Sequence, residues 1–93
     1  MIKSFADKVT RDLYELGSSK KVPQDVTARA IRKLDAINAA ETLADLNVPP
    51  SNRLHSLSGD RKGHYSISVN DQWRICFRFI GNEAFDVQFC DYH

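Results

Sequence analysis

Two periods divide the chain. Up to about residue 46 the apolar positions recur every three or four residues, and from residue 52 onward they alternate. In the first part Phe5, Val9, Leu13 and Leu16 fall at helical spacing, which gathers them on one face of a 3.6-residue period. Ser4 stands where a side-chain oxygen caps free backbone N–H groups, Asp7 falls in the first turn, and Gly17 follows as a natural stop. A second helix is predicted over 23–39. Pro23 suits its first turn, and Val26, Ala30, Leu34 and Ile37 make its apolar stripe, with Arg29, Arg32 and Lys33 elsewhere on the helix. A short helical turn over 41–46 ends before Pro49-Pro50, and residues 1–4 fit a brief opening strand.

In the second part Tyr65, Ile67 and Val69 alternate with His64, Ser66 and Ser68. Trp73, Ile75, Phe77 and Phe79 alternate with Arg74, Cys76 and Arg78, and Phe85, Val87 and Phe89 alternate with Asp86, Gln88 and Cys90. Each run predicts a half-buried strand, joined to the next through Asn70-Asp71-Gln72 and Gly81-Asn82-Glu83. A shorter strand over 53–57 precedes them. The apolar residues of all three runs are odd-numbered, so odd must pair with odd, because a slip of one residue would expose the whole set. That register sets Ser68 opposite Arg74, His64 opposite Arg78, and Arg74 opposite Cys90 or Tyr92. The fold class is α+β: two N-terminal helices packed on one face of a twisted, mostly antiparallel sheet of about four strands.

Length and composition narrow the picture. The 93 residues suffice for a single domain, 1–93, and its 42% hydrophobic and 27% charged content is that of a folded globule. No run is long and apolar enough for a membrane span, and the opening residues lack the apolar core of a leader, so a cytoplasmic location is expected. Cys76 and Cys90 read as free thiols. Cys90 and His93 have a C-x-x-H spacing without a second pair, so no metal is expected. The net charge of +1 does not mark a general nucleic-acid binder, yet residues 51–80 hold five basic and two acidic side chains.

Candidate chemistry lies on the even-numbered face. Arg74 and Tyr92 share it as neighbours, and the chain closes on Asp91, Tyr92 and His93. An arginine holds a phosphate through paired hydrogen bonds, and a histidine gives or accepts a proton near neutral pH. His55 adds a second imidazole. RNA cleavage without a metal requires a base at the 2′-hydroxyl, an acid at the leaving oxygen and a cation at the phosphate, and these residue types supply all three. Blander readings stand beside this one. Arg74 pairs with Asp86 or Asp91, His55 is a surface histidine, Tyr92 is an edge tyrosine, and Arg53, Arg61 and Lys62 form a solvated loop.

The run LSGDRKGHYSISVNDQWRICFRF, followed by FDVQFCDYH and preceded at the start of the chain by MIKSFADK, resembles the HigB-type toxins of the RelE/ParE superfamily over nearly the whole chain. Its most specific parts are Gly59-Asp60-Arg61, the block Asn70-Asp71-Gln72-Trp73-Arg74-Ile75 and the terminal Asp91-Tyr92-His93. The resemblance implies the compact RelE-like fold and a bacterial type II toxin–antitoxin component. It implies metal-independent, cofactor-free cleavage of messenger RNA in the ribosomal A site, and a HigA-type helix-turn-helix antitoxin through which operator DNA is reached. It assigns catalysis to His55, Arg74, Asp91, Tyr92 and His93; the locally basic stretch, for its part, makes Arg53, Arg61, Lys62 and Arg78 the expected RNA contacts. The chain departs from many relatives at His55, where an acidic residue is common, and at Ser58, where lysine is common. The alternative within the superfamily is a ParE-like protein that binds and poisons DNA gyrase without cutting RNA.

Overall fold

The computed structural model describes residues 1–92. Helix α1 (Lys8–Leu16) starts later than the spacing of Phe5 suggested. Asp7 is its cap, with Oδ1 accepting the Thr10 N–H at 2.9 Å, and Gly17 closes it in the left-handed conformation at φ 79°, donating to the Leu13 carbonyl. Ser4 does not cap. Its hydroxyl accepts the Asp86 N–H at 2.9 Å instead. Phe5 lies before the helix and packs against Tyr14, and Leu16, the last helical residue, is exposed rather than part of the stripe. Helix α2 (Gln24–Ala39) buries Val26, Ala30, Leu34 and Ile37, as its pattern required, and Pro23 precedes it as the cap residue. Single 3-10 turns at Leu43–Asn47 and Pro50–Asn52 carry the chain to the sheet.

Four antiparallel strands follow in sequential order: β1 (His55–Ser56), β2 (His64–Ser68), β3 (Trp73–Ile80) and β4 (Glu83–Asp91). A 3-10 turn, Gly59–Arg61, lies between β1 and β2. The odd face of β2 and β3 meets the helices. Ile67, Ile75, Phe77 and Val87 close with Leu13, Ala30, Leu34 and Ile37 into a core from which solvent is fully excluded. The free edge of β4 is covered by the opening residues, which run parallel to it through Ile2–Ala84 and Phe5–Val87 bridges. That cover removes an unpaired edge that would otherwise invite association.

The register of β2 on β3 is the expected one: His64 opposes Arg78, Ser66 opposes Cys76, and Ser68 opposes Arg74. On the β4 side Arg74 opposes Cys90 and Cys76 opposes Gln88, but Arg78 then opposes Phe85. Two residues of β4, Asp86 and Val87, thus face Phe77 alone, in a bulge whose Asp86 has φ 54°. Parity reverses beyond it. Ala84 enters the core, while Phe85, expected inside, is half-buried beside Arg78, whose guanidinium lies 5.5 Å from its ring centre. Asp86 closes the arrangement by accepting a 2.8 Å bond from Arg78 Nε. Among the described residues no helix is long and apolar enough to cross a membrane.

Candidate functional site

The even face of the sheet carries polar side chains in rows. One row runs His55, Ser66, Cys76, Gln88, and the next runs Ser68, Arg74, Cys90. Arg74 sits near the start of the long inner strand β3. Its guanidinium carbon lies 5.2 Å from the centre of the Tyr92 ring, a cation–π contact that fixes the fork over an aromatic face. Tyr92 is held in turn by its backbone N–H, which donates to the Gln72 carbonyl at 2.9 Å and extends the β4 pairing past the strand end. Arg74 Nε is buried and has no hydrogen-bond partner, and the same holds for Nδ1 of His64. A buried donor without a partner is costly.

His55 lies on the exposed strand β1, two strand spacings, about 10 Å, from β3. Its Nδ1 is 3.0 Å from the Arg53 carbonyl. A carbonyl only accepts, so Nδ1 carries the proton. In the neutral ring that leaves Nε2, 3.3 Å from the buried Ser66 hydroxyl, with the lone pair. In that tautomer Nε2 can accept a hydrogen bond from the Ser66 hydroxyl.

Beside Arg74, the Sγ atoms of Cys76 and Cys90 lie 3.0 Å apart, and both residues are free thiols. One sulfur donates to the other, so their titrations move in opposite directions. The hydrogen bond from Cys76 and the nearby Arg74 and Arg61 guanidinium groups stabilise the Cys90 thiolate against burial and draw its pKa down to about 6. Cys76, hydrogen-bonded to that thiolate and fully buried, is pushed well above the ordinary thiol range. Alkylation of Cys90 by iodoacetamide, followed by mass spectrometry, is therefore expected to rise through a midpoint of about pH 6, with Cys76 unmodified. Below that midpoint the thiol is protonated and slow. Arg74→Gln is expected to move the midpoint upward, and an unchanged midpoint would remove Arg74 from its causes.

The structure brings some of the sequence-derived residues together and separates others. Arg74 and Tyr92 meet. Asp91 takes the register position opposite Trp73, on the alternate parity to Arg74, and His93 lies outside the described residues. Arg61 is half-buried and close enough to act on both cysteines, and Lys62 is exposed beside it. Arg78 is committed to Asp86, so the Asp86 partner considered for Arg74 is engaged elsewhere. Arg53, exposed and in the left-handed region at φ 50°, supplies the carbonyl that orients His55. Sequence reasoning did not single out Ser66, His64 or the thiol pair as parts of the site. Even parity placed them on this face, but only the cross-strand register shows which of them adjoin.

The family model for the RelE-like toxin HigB of type II toxin–antitoxin systems matches residues 3–93. The chain belongs to that family. It is 41% identical over its whole length, and over the whole of the relative, to a protein of Proteus vulgaris named Endoribonuclease HigB. To Toxin HigB-1 of Vibrio cholerae it is 35% identical, with 90% of each chain covered. Solved structures agree on the fold. The YoeB–YefM complex from Staphylococcus aureus aligns at a TM-score of 0.62 with 14% identity, covering 100% of this chain and 98% of the other. YafQ from E. coli aligns at 0.60 with 13% identity, covering 99% and 94%. At such low identities the likeness concerns the RelE-type backbone.

Proposed function

We propose that this HigB-family toxin is an endoribonuclease that cuts messenger RNA in the ribosomal A site, without a metal, by attack of a 2′-hydroxyl on the adjacent phosphate. The observation that carries the reading is Arg74: a buried guanidinium nitrogen without a partner, on an inner strand of an otherwise polar sheet face, stacked on Tyr92. A phosphate supplies the acceptor that this nitrogen lacks, and the charge developing in the transition state gains most from a donor already in place. The 2′-oxygen bonds to phosphorus and the bond from phosphorus to the 5′-oxygen breaks, leaving a 2′,3′-cyclic phosphate and a 5′-hydroxyl. His55 Nε2 takes the 2′-hydroxyl proton, a role for which Asp91 is the second candidate, and His93 protonates the leaving oxygen. Tyr92 stacks on a base or orients the phosphate. The name of the P. vulgaris relative supports the activity, and the toxin–antitoxin family supports a partner that restrains it. That partner is a HigA-type helix-turn-helix antitoxin, and the toxin works in the cytoplasm.

The test uses purified toxin and ribosomes carrying a defined message. Cleavage is expected inside the A-site codon, with cyclic-phosphate and 5′-hydroxyl ends. A message bearing a single 2′-deoxy residue at the cut position is expected to stay intact. Equal cutting of that message would rule out 2′-hydroxyl attack. Inhibition of gyrase supercoiling with no loss of message would replace the nuclease reading by the gyrase-poison one.

A further inference from the structure

Next to the site lies a cleft of about 640 Å³ between α2 and the β2–β3 turn. Its wall holds Arg29, Arg32 and Lys33 from the helix and Arg53 from the loop, against a single carboxylate, Asp71. The three ion pairs found among the described residues lie elsewhere, at Lys3–Glu83, Lys8–Asp12 and Arg78–Asp86. Four cations thus share one concavity with little to neutralise them. One is fixed in place: the Lys33 ammonium donates to Oδ1 of Asn52, whose buried side chain is itself held by its Nδ2 donating to the Leu46 and Val48 carbonyls. Burial, and then the neighbouring Arg29 and Arg32, push the Lys33 pKa below its ordinary value. The charge is therefore held where it is disfavoured, and a bound anion would reverse that.

The cleft borders the site through two residues next to it. Ser68 forms part of its wall and pairs across the strands with Arg74, and Arg53 both lines it and orients His55. We propose that the cleft is a phosphate subsite for the message strand, holding backbone that flanks the bond cut at Arg74. This rests on the nuclease reading above and adds the path of the substrate to it. The three helix cations engage the phosphates, while the polar wall at Ser68 and Asn70 leaves the sugar and base edges solvated. Contacts of this kind give affinity without reading sequence.

The test is Arg29→Ala combined with Arg32→Ala. Both side chains are exposed on α2, and alanine favours a helix, so circular dichroism should be unchanged. Single-turnover cleavage of ribosome-bound message is followed against toxin concentration. The half-saturating concentration is expected to rise about tenfold at physiological salt with the plateau rate unchanged, and the salt slope to fall by about 1.4 for two lost single-strand contacts. Arg29→Lys with Arg32→Lys should restore most of the affinity. Shortening the message on one side of the cut is expected to abolish the difference between wild type and the alanine variant.

Equal half-saturation in the alanine variant and wild type would remove the subsite and leave the nuclease reading standing. A wild type that leaves message intact would remove both. A difference that survives shortening on either side places the contact on ribosomal RNA and overturns the assignment to message. Weakened binding of the antitoxin protein, with half-saturation on message unchanged, assigns the cleft to an acidic protein segment and overturns it as well.

Discussion

Replacing Arg74 by methionine is expected to lower the single-turnover cleavage rate by about 10²–10³-fold, the usual loss when one preorganised donor to the transition state is removed. Measured at pH 5, where Cys90 is a neutral thiol and gains nothing from the Arg74 charge, the same change should leave the unfolding midpoint where it is or raise it. Methionine keeps the length of the stem that crosses the sheet and still covers the Tyr92 ring, while it removes a buried nitrogen that has no partner in the free protein. Stability and activity thus move apart, as expected of a group kept for chemistry. Arg74→Lys should fall between the two, because it retains the charge and loses the planar fork that binds phosphate through two bonds. Cleavage at the wild-type rate by the methionine variant would remove Arg74 from the reaction. A large loss of stability would mean that the guanidinium has a structural partner in the free protein.

Why Arg74 was legible in the sequence follows from strand parity. Three alternating runs with their apolar residues on odd numbers pair odd with odd, which set Ser68 opposite Arg74 and left Cys90 and Tyr92 both open on the other side; the structure selects Cys90. The helices were legible for a related reason: each apolar stripe can serve only one face. The misses have local causes. Ser4 and Asp7 are both competent caps, and the choice fell to Asp7 because the opening residues lie along β4 as far as Phe5, where the Ser4 hydroxyl receives the Asp86 N–H. Phe85 was assigned to the core by alternation, and a bulge of one residue reversed it. No motif in Phe85-Asp86-Val87 announces a bulge. Asp86 tolerates the left-handed conformation better than most residues, and its ion pair with Arg78 and bond to Ser4 hold it there.

The site shows the same division. Residues on one strand pair, such as Ser68 and Arg74, can be read from alternation and a short turn alone. Those that depend on how elements pack cannot. The tautomer of His55 is set by a carbonyl two residues earlier in a tight turn, and the basic cleft exists only because α2 crosses the sheet with Arg29, Arg32 and Lys33 toward the β2–β3 turn. A helical stripe fixes which residues face the core but not where the flanks of that stripe come to rest. The family resemblance supplied roles for the terminal residues. It gave no account of why Tyr92 is held in place, which the bond from its N–H to Gln72 does.

The second large effect lies beneath this face. Phe77→Ala is expected to destabilise the fold by about 3–5 kcal/mol. A single domain of this size has on the order of 5–15 kcal/mol in all. Phe77 is fully buried at the centre of β3, opposite the bulge, with the Tyr65 ring 6.2 Å away and the Phe79 ring edge-on at 6.4 Å. Its neighbours are pinned by the strand pairing and by α2, so they have little freedom to close the void, and the cavity term adds to the lost transfer energy. Phe77→Leu, which keeps most of the volume, should cost no more than about 1.5 kcal/mol. Urea unfolding followed by fluorescence of the single Trp73 reads both values. The alanine variant should also cause less growth arrest when expressed without its antitoxin, through a smaller folded population and not through slower chemistry. Single-turnover rates corrected for the folded fraction should therefore match wild type. A midpoint shift as small for Phe77→Ala as for Phe77→Leu would show that the core under Arg74 can collapse, and that the bulge does not hold β4 in place.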